Sequence, residues 1–187
     1  MVLPFSEVQV ALLEATAALV CEKGLPDLTV KDVVERAGVS KGALFHYYES
    51  KSALLDAAFG YWMGEFSRRV ELAVQGDPIA YGRFTRAYIN ATIEDLTQEG
   101  SKKWAAFSLS SLTEPRRMGE WHQWVNARLR AHGENDPDLS TARFAVDDLW
   151  LNTIGQRDVG QDLAAFPSDE ELNRIRECIV ALTYRKT

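Results

Sequence analysis

The sequence predicts an all-α fold, and three observations carry that expectation. Ser or Thr caps, three of them (Ser6, Thr29 and Ser168) followed one helical turn later by a Gln, Asp or Glu that can return the hydrogen bond, stand ahead of apolar residues spaced i, i+3 and i+4. Glycine and proline break the chain between those patterns, at Gly24 and Pro26, at Gly76-Asp77-Pro78 and at Asn135-Asp136-Pro137. No stretch alternates apolar and polar residues well enough for a strand, and there is no internal repeat or low-complexity tract. About nine helices result.

With 187 residues, 46% hydrophobic and 26% charged, the chain can form one sizeable helical core or two small ones. No apolar run approaches the roughly 20 residues of a transmembrane helix. The first residues lack the charged start and apolar run of a signal peptide. A cytoplasmic location with no membrane partner is therefore expected. Cys21 and Cys178 fall in apolar helical patterns and read as core thiols in a reducing compartment, not as a disulfide. A net charge of −6 argues against indiscriminate nucleic-acid binding.

The first helix spans 7–23. Ser6 caps it, Gln9 completes a capping box, and Phe5 with Val10 forms a hydrophobic staple. Val8, Leu12, Ala15 and Leu19 form its core face, and Gly24 ends it ahead of Pro26. Next comes LTVKDVVERAGVSKGALFHYYESK, from Leu28 to Lys51. Thr29 caps a short helix whose apolar face is Val30, Val33, Val34 and Ala37, with Asp32 as the return partner. Gly38 supplies a turn that needs a positive φ, and Ser40 caps a second short helix. Two capped helices joined by a short glycine turn form a helix-turn-helix, whose second helix is placed to enter the major groove of DNA. On that helix Leu44 and Tyr48 face the core, so Gly42 and His46 point outward with Ala43 and Phe45 on the flanks. A short outer face lets the backbone approach base edges. Lys41 can reach a guanine edge or a phosphate, Ala43 a thymine methyl, and His46 and Tyr47 phosphates. Lys51, just past the Ser50 cap of the next helix, is a further phosphate candidate.

Capped helix pairs with a glycine turn also occur in helical proteins that never touch DNA, so the pattern alone leaves both readings open. The residues go further. The run from Thr29 to Leu55, with A-G-V-S-K-G-A-L followed by Y-Y-E-S-K, closely resembles the DNA-binding signature of the tetracycline-repressor (TetR) family. The resemblance is sharp over about residues 6–60 and architectural beyond. It implies an all-helical, homodimeric regulator with a variable ligand-binding C-terminal domain. Carried over by position, it implies DNA contacts at Thr29, Lys31, Ser40, Lys41, Gly42, Ala43, His46, Tyr47 and Lys51. The chain departs from the pattern at Phe45, where a tyrosine is frequent, at Ser52, where an acid is frequent, and in its first ten residues, which contain no basic side chain. Residues 1–60 hold five Lys/Arg against eight Asp/Glu. Phosphate neutralisation dominates affinity, so DNA binding depends on the local grouping of Lys31, Lys41 and Lys51. Modest affinity and little non-specific binding are expected.

The next helix starts after Ser50, runs past Phe66 to about residue 74, and joins residues 1–50, the DNA-binding domain, to a ligand-binding and dimerisation domain over 51–187. Gly60 and Gly64 interrupt it with poor helix formers, which suits either close helix packing or a bend point. Further helices are predicted over about 78–96, with Pro78 at its first position, then 102–112, 115–132, from Ser140 or Thr141 to about 155, and from a Ser168–Glu171 capping box to about 184. The segment 155–167 reads as loop.

Trp62, Trp104, Phe107, Trp121 and Trp124 are spread over three of these helices, where they either pack as core or line an apolar ligand pocket. Asn90 and His122 are its candidate polar anchors. The helix containing ARFAVDDLWLNTIG is apolar on more than one side through Phe144, Trp150, Leu151 and Ile154, and so must be covered on both. The last helix adds a stripe of Leu172, Ile175, Ile179 and Leu182. Burial within one chain is one explanation; a two-fold four-helix interface, which the resemblance also implies, is the preferred one. Asp147 and Asp148 are adjacent and point to different sides, which suits caps or salt bridges at that interface rather than a catalytic carboxylate pair. His122 and His132 do not match a zinc spacing, and no nucleophile elbow, phosphate loop or dinucleotide fingerprint is present. No catalytic residue, metal or cofactor is expected. The reading is a transcriptional regulator, a repressor released from a palindromic double-stranded operator by a small apolar or aromatic ligand. The alternative is a ligand-binding or scaffold protein whose helix-turn-helix no longer binds DNA.

Overall fold

The computed structural model describes residues 5–157 and 167–185, and all side chains within them except those at 99–102, 154–157 and 169. Nine helices follow one another among the described residues, with no strand: α1 Glu7–Lys23, α2 Val30–Ala37, α3 Lys41–Tyr47, α4 Lys51–Gly76, α5 Arg83–Thr97, α6 Glu99–Leu112, α7 Pro115–His132, α8 Pro137–Arg157 and α9 Asp169–Ala181.

Local signals set the first four. Ser6 and Gln9 form the expected capping box on α1, as do Thr29 and Asp32 on α2. Gly38 closes α2 in the left-handed conformation at φ 68°, while the Ser40 and Ser50 side chains cap α3 and α4. α1 buries more than one stripe, because α2 and α4 cover one side of it and α6 another. α4 runs unbroken through Gly60 and Gly64. A Cβ at either glycine meets nothing within 4 Å, so close packing is not the reason for them.

Distant partners set the start of α5. Helix formation does not begin at Pro78 as expected. Asp77 instead accepts hydrogen bonds from the Ile79 N–H at 2.8 Å and the Arg86 Nε at 2.7 Å, which keeps the connection out of helix. α5 begins after Gly82, whose φ is 72° and whose missing Cβ would stand 2.4 Å from the Thr183 carbonyl oxygen. Its first turn is capped from 50 residues away by Glu134, which accepts from Phe84 N at 2.7 Å and Thr85 N at 2.9 Å. α5 is covered nearly all round, by α4, α6, α8 and α9, and forms the centre of the C-terminal bundle.

Three other boundaries move. α6 begins at Glu99, ahead of the expected 102. α8 begins at Pro137 rather than at Ser140 or Thr141, since the Asp136 carboxylate accepts from Asp138 N at 2.9 Å. α9 ends at Ala181, and Leu182 and Thr183 turn back on carbonyls of its last turn. Both cysteines are exposed rather than core, because each lies beside the buried stripe of its helix. The expected loop over 155–167 falls largely outside the described residues.

Candidate nucleic-acid interface and internal cavity

The core fixes α3 through Leu44, fully buried, and Tyr48, which leaves its other side open. Gly42, Phe45, His46 and Tyr47 are exposed there and Ala43 is half-buried. The Ser40 Oγ accepts from Ala43 N at 3.1 Å, so the cap and the small outer face belong to one turn. Lys41 lies over the Phe45 ring at 5.7 Å, and the His46 and Tyr47 rings meet edge to face at 4.9 Å. Phe45, 43% exposed, lies further out than a flank position implies. A Cβ at Gly42 would meet only the Ser40 Oγ at 3.8 Å. Nothing inside the chain therefore requires glycine at that position.

The other candidate contacts are already engaged. Thr29 hydrogen-bonds the Asp32 carboxylate at 2.5 Å as part of its cap. Lys31 pairs with Glu35 at 3.7 Å on an exposed turn, and the half-buried Lys51 donates to the Leu25 carbonyl at 3.4 Å. Two further pairs, Lys23 with Asp32 and Arg36 with Glu22, tie α1 to α2. Lys23 and Thr29 together hold the Asp32 carboxyl down at about 2.

Within the C-terminal bundle lies a cavity of about 570 Å³. Trp62 and Phe66 of α4, Tyr88 of α5, Trp121 of α7 and Trp150 of α8 form its aromatic walls. Of the expected pocket residues, Trp62, Trp121 and His122 line it. The other four do not. Phe107 is fully buried elsewhere in the core. Trp104 lines a separate space of about 240 Å³ and donates to Glu14 at 3.3 Å. Trp124 stacks behind Trp121 at 5.3 Å and donates to Ser67 at 3.0 Å. Asn90 lies in a groove with Arg86 and Arg176.

Sequence reasoning missed the acids of this cavity. Asp95, Asp147 and Asp148 all line it. Burial raises the Asp95 carboxyl to about 6, although Arg69 Nη2, at 2.5 Å, pulls the other way. Tyr88 donates to Asp147 at 2.5 Å; burial first, then the neighbouring carboxylate, holds that phenol well above its usual range. Adjacent acids in the middle of an apolar helix were the available signal, and it was assigned to an interface.

The proposed interface residues also divide. Phe144 is 72% exposed and Leu151 48% exposed on α8, so both are uncovered within the protomer. Leu172 and Ile179 of α9 are buried in their own chain, and Ile175 and Leu182 pack beside them, because α9 lies on α5 and α8. Leu172 and Ile179 are thus core within the protomer, while Ile175 and Leu182 keep partial exposure. Asp147 and the half-buried Trp150 face the cavity, and Leu151 also stands at its edge. The Ile154 side chain lies outside the described residues. Among the described residues, no His, Cys, Asp or Glu cluster could hold a metal ion, and no helix is long and apolar enough to cross a membrane.

Comparison with known proteins places this architecture. The model of bacterial regulatory proteins of the tetR family matches residues 12–58, and that of the tetracyclin repressor-like C-terminal domain matches residues 82–184. The chain is 33% identical over 166 residues to the HTH-type transcriptional regulator BetI of Serratia proteamaculans, covering 76% of this chain and 78% of that one. Its counterpart in Pseudomonas paraeruginosa is 26% identical, covering 87% and 86%. Among solved structures, SCO4454, a TetR-family regulator from Streptomyces coelicolor, superposes with a TM-score of 0.72 at 14% identity, covering 95% and 94%. AibR, in complex with isovaleryl coenzyme A and operator DNA, superposes at 0.65 and 20% identity, covering 94% and 98%. The multidrug binding protein EbrR, complexed with imidazole, superposes at 0.63 and 18% identity, covering 97% and 93%. With both family domains matched in order around the helix-turn-helix, the chain belongs to the TetR family of DNA-binding transcriptional regulators.

Proposed function

We propose that this regulator is a homodimeric repressor, released from a palindromic operator when a small molecule enters the cavity between α4, α5, α7 and α8. The observation that carries the reading is a single helix with two duties. α4 begins at Lys51, capped by Ser50 shortly after the outward face of α3, and its Trp62 and Phe66 wall the cavity. A ligand that displaces α4 therefore displaces α3. It shifts the equilibrium only to the extent that it binds the two arrangements with different affinity. AibR, of the same fold, carries both a small molecule and operator DNA, which supports the pairing of the two duties.

The DNA side is the exposed surface of Gly42, His46 and Tyr47, with Ser40, Lys41 and Ala43 in the first turn and Thr29, Lys31 and Lys51 on its border. The dimer side is the uncovered apolar surface of α8 at Phe144 and Leu151. A two-fold axis there would present two α3 helices to half-sites about one DNA turn apart. Fluorescence anisotropy with a duplex from the chain's own upstream region, at low salt and without ligand, tests the reading. Saturable binding is expected. Lys41→Ala should weaken it by about 1–3 kcal/mol if the side chain reaches a base. Phe144→Glu should give monomers in sedimentation and lose cooperative binding. An intact dimer in that variant rejects the α8 surface. Absence of any low-salt binding by the unmodified chain rejects the repressor reading.

A further inference from the structure

We propose that Phe45 is a specificity-determining residue for DNA: its ring, with Lys41 across one face, contacts the 5-methyl group of a thymine in each half of the operator. The inference rests on the reading of α3 as the helix that enters the major groove, and it names one base feature that this helix selects.

Position is the first argument. Lys41 and Phe45 stand four residues apart in α3, so they form a row along one flank of its outward side. Gly42 and His46 lie in the middle of that side, and Ala43 and Tyr47 form the other flank. Phe45 is 43% exposed, a large apolar ring that its own chain leaves in water. Single residues of that kind are ordinary on protein surfaces, but this one lies on the side that a duplex would cover. The Lys41 ammonium holds the ring from one direction, 5.7 Å from its centroid. Among the described residues no carboxylate stands within ion-pair distance of Lys41, whereas Lys31 is paired with Glu35 at 3.7 Å. The Lys41 charge is therefore free to meet a phosphate or a guanine edge beside the ring.

Chemistry is the second argument. A phenyl ring carries no hydroxyl, so Phe45 cannot hold a phosphate oxygen or a polar base edge as a tyrosine does. Thymine alone among the bases offers an apolar group to the major groove, its 5-methyl. That methyl projects from the base edge toward the sugar-phosphate wall of the groove. A flanking row of a helix lies against that wall when the middle of its outward side faces the floor. His46 and Tyr47 end in polar atoms, and the half-buried Ala43 has a single methyl to offer. Phe45 thus presents the largest wholly apolar surface of α3 to the thymine. One helical turn advances about 5.4 Å, which sets the thymine within about two base-pair steps of the Lys41 contact.

Fluorescence anisotropy at low salt, on the full chain without ligand, tests the proposal. The duplex is the chain's own upstream region, prepared once with thymine and once with uracil at every thymine position. That exchange removes the methyl groups and keeps the hydrogen-bonding edges. The unmodified chain should bind the thymine duplex about fourfold tighter per half-site, about fifteenfold for both. Phe45→Ala should lose most of that ratio, and Ala43→Gly should keep most of it. Phe45→Gln, which keeps length without the ring, should behave as Phe45→Ala does and decides the question if the alanine variant does not fold. Every variant meets the same two duplexes, so differences in duplex shape cancel between them. Equal binding of both duplexes by the unmodified chain overturns the proposal, as does a ratio that survives the loss of the Phe45 ring. The repressor reading is scored separately. Binding of both duplexes alike leaves it standing and removes only the methyl contact, whereas absence of low-salt binding to the thymine duplex removes both.

Discussion

Two aspartates show how differently the halves of this protein are built. Asp32, at the start of α2, is partly exposed, caps its own helix and meets Lys23; its carboxyl is held at about 2. Asp95, in α5, also meets an arginine, yet burial raises it to about 6. The N-terminal helices keep their charges in water and use them locally. The C-terminal bundle takes charges out of water and must satisfy them across long chain separations. Arg86, 4% exposed, holds Asp77, the Ile79 and Tyr81 carbonyls and, 97 residues on, the Thr183 carbonyl. A surface that reads an outside partner needs the first arrangement. A cavity that, on the proposed function, takes up a small molecule and passes the event to a helix tolerates the second.

The contrast is most sharply tested at Arg86. Arg86→Ala removes the donor that serves one Asp77 oxygen and three carbonyls, those of Ile79, Tyr81 and Thr183, and should cost about 3–5 kcal/mol in urea unfolding. A loss under about 1 kcal/mol, the range of an exposed pair, would erase the distinction between the halves.

Asp95 gives the next effect. Its folded value of about 6 lies above the ordinary 3.8, so the folded chain holds this proton more tightly than the unfolded one. The contribution of this group is therefore greatest below about pH 4, falls as pH rises through about 6 and is flat above. The span is roughly 3 kcal/mol. Asp95→Asn should flatten that slope in denaturation curves taken from pH 4 to 7. An unchanged slope would mean that the carboxyl is ionised throughout, as Asp32 is.

The same contrast explains what could be read from the sequence. The caps at Ser6, Thr29, Ser40, Ser50 and Ser168, and the glycine stops at Gly38 and Gly133, were legible because each partner lies within one helical turn. The outward side of α3 was legible for the same reason, since Leu44 and Tyr48 left only one face free. The late start of α5 was not legible, because Glu134, the residue that caps it, comes 50 positions later. The acids of the cavity were hidden too. Nothing near Asp147 in sequence shows that Tyr88 will stand 2.5 Å from it. The two-sided apolarity of α8 did announce itself, but periodicity could not tell that Val146 turns inward and Phe144 out. For α9 the stripe was correct, and two of its members, Leu172 and Ile179, go to the core of their own chain, because a regular apolar stripe suits a neighbouring helix in the same chain as well as one in a partner.

The central claim is that the small outer face of α3 serves a duplex and not the fold, and Gly42→Ala tests it most directly. The added methyl has room within the chain, and alanine is the better helix former by up to about 1 kcal/mol. Melting temperature and affinity for the upstream duplex should be measured on the same sample. The account predicts an equal or higher melting temperature together with weaker DNA binding. Unchanged DNA affinity in a chain that is equally or more stable would contradict it.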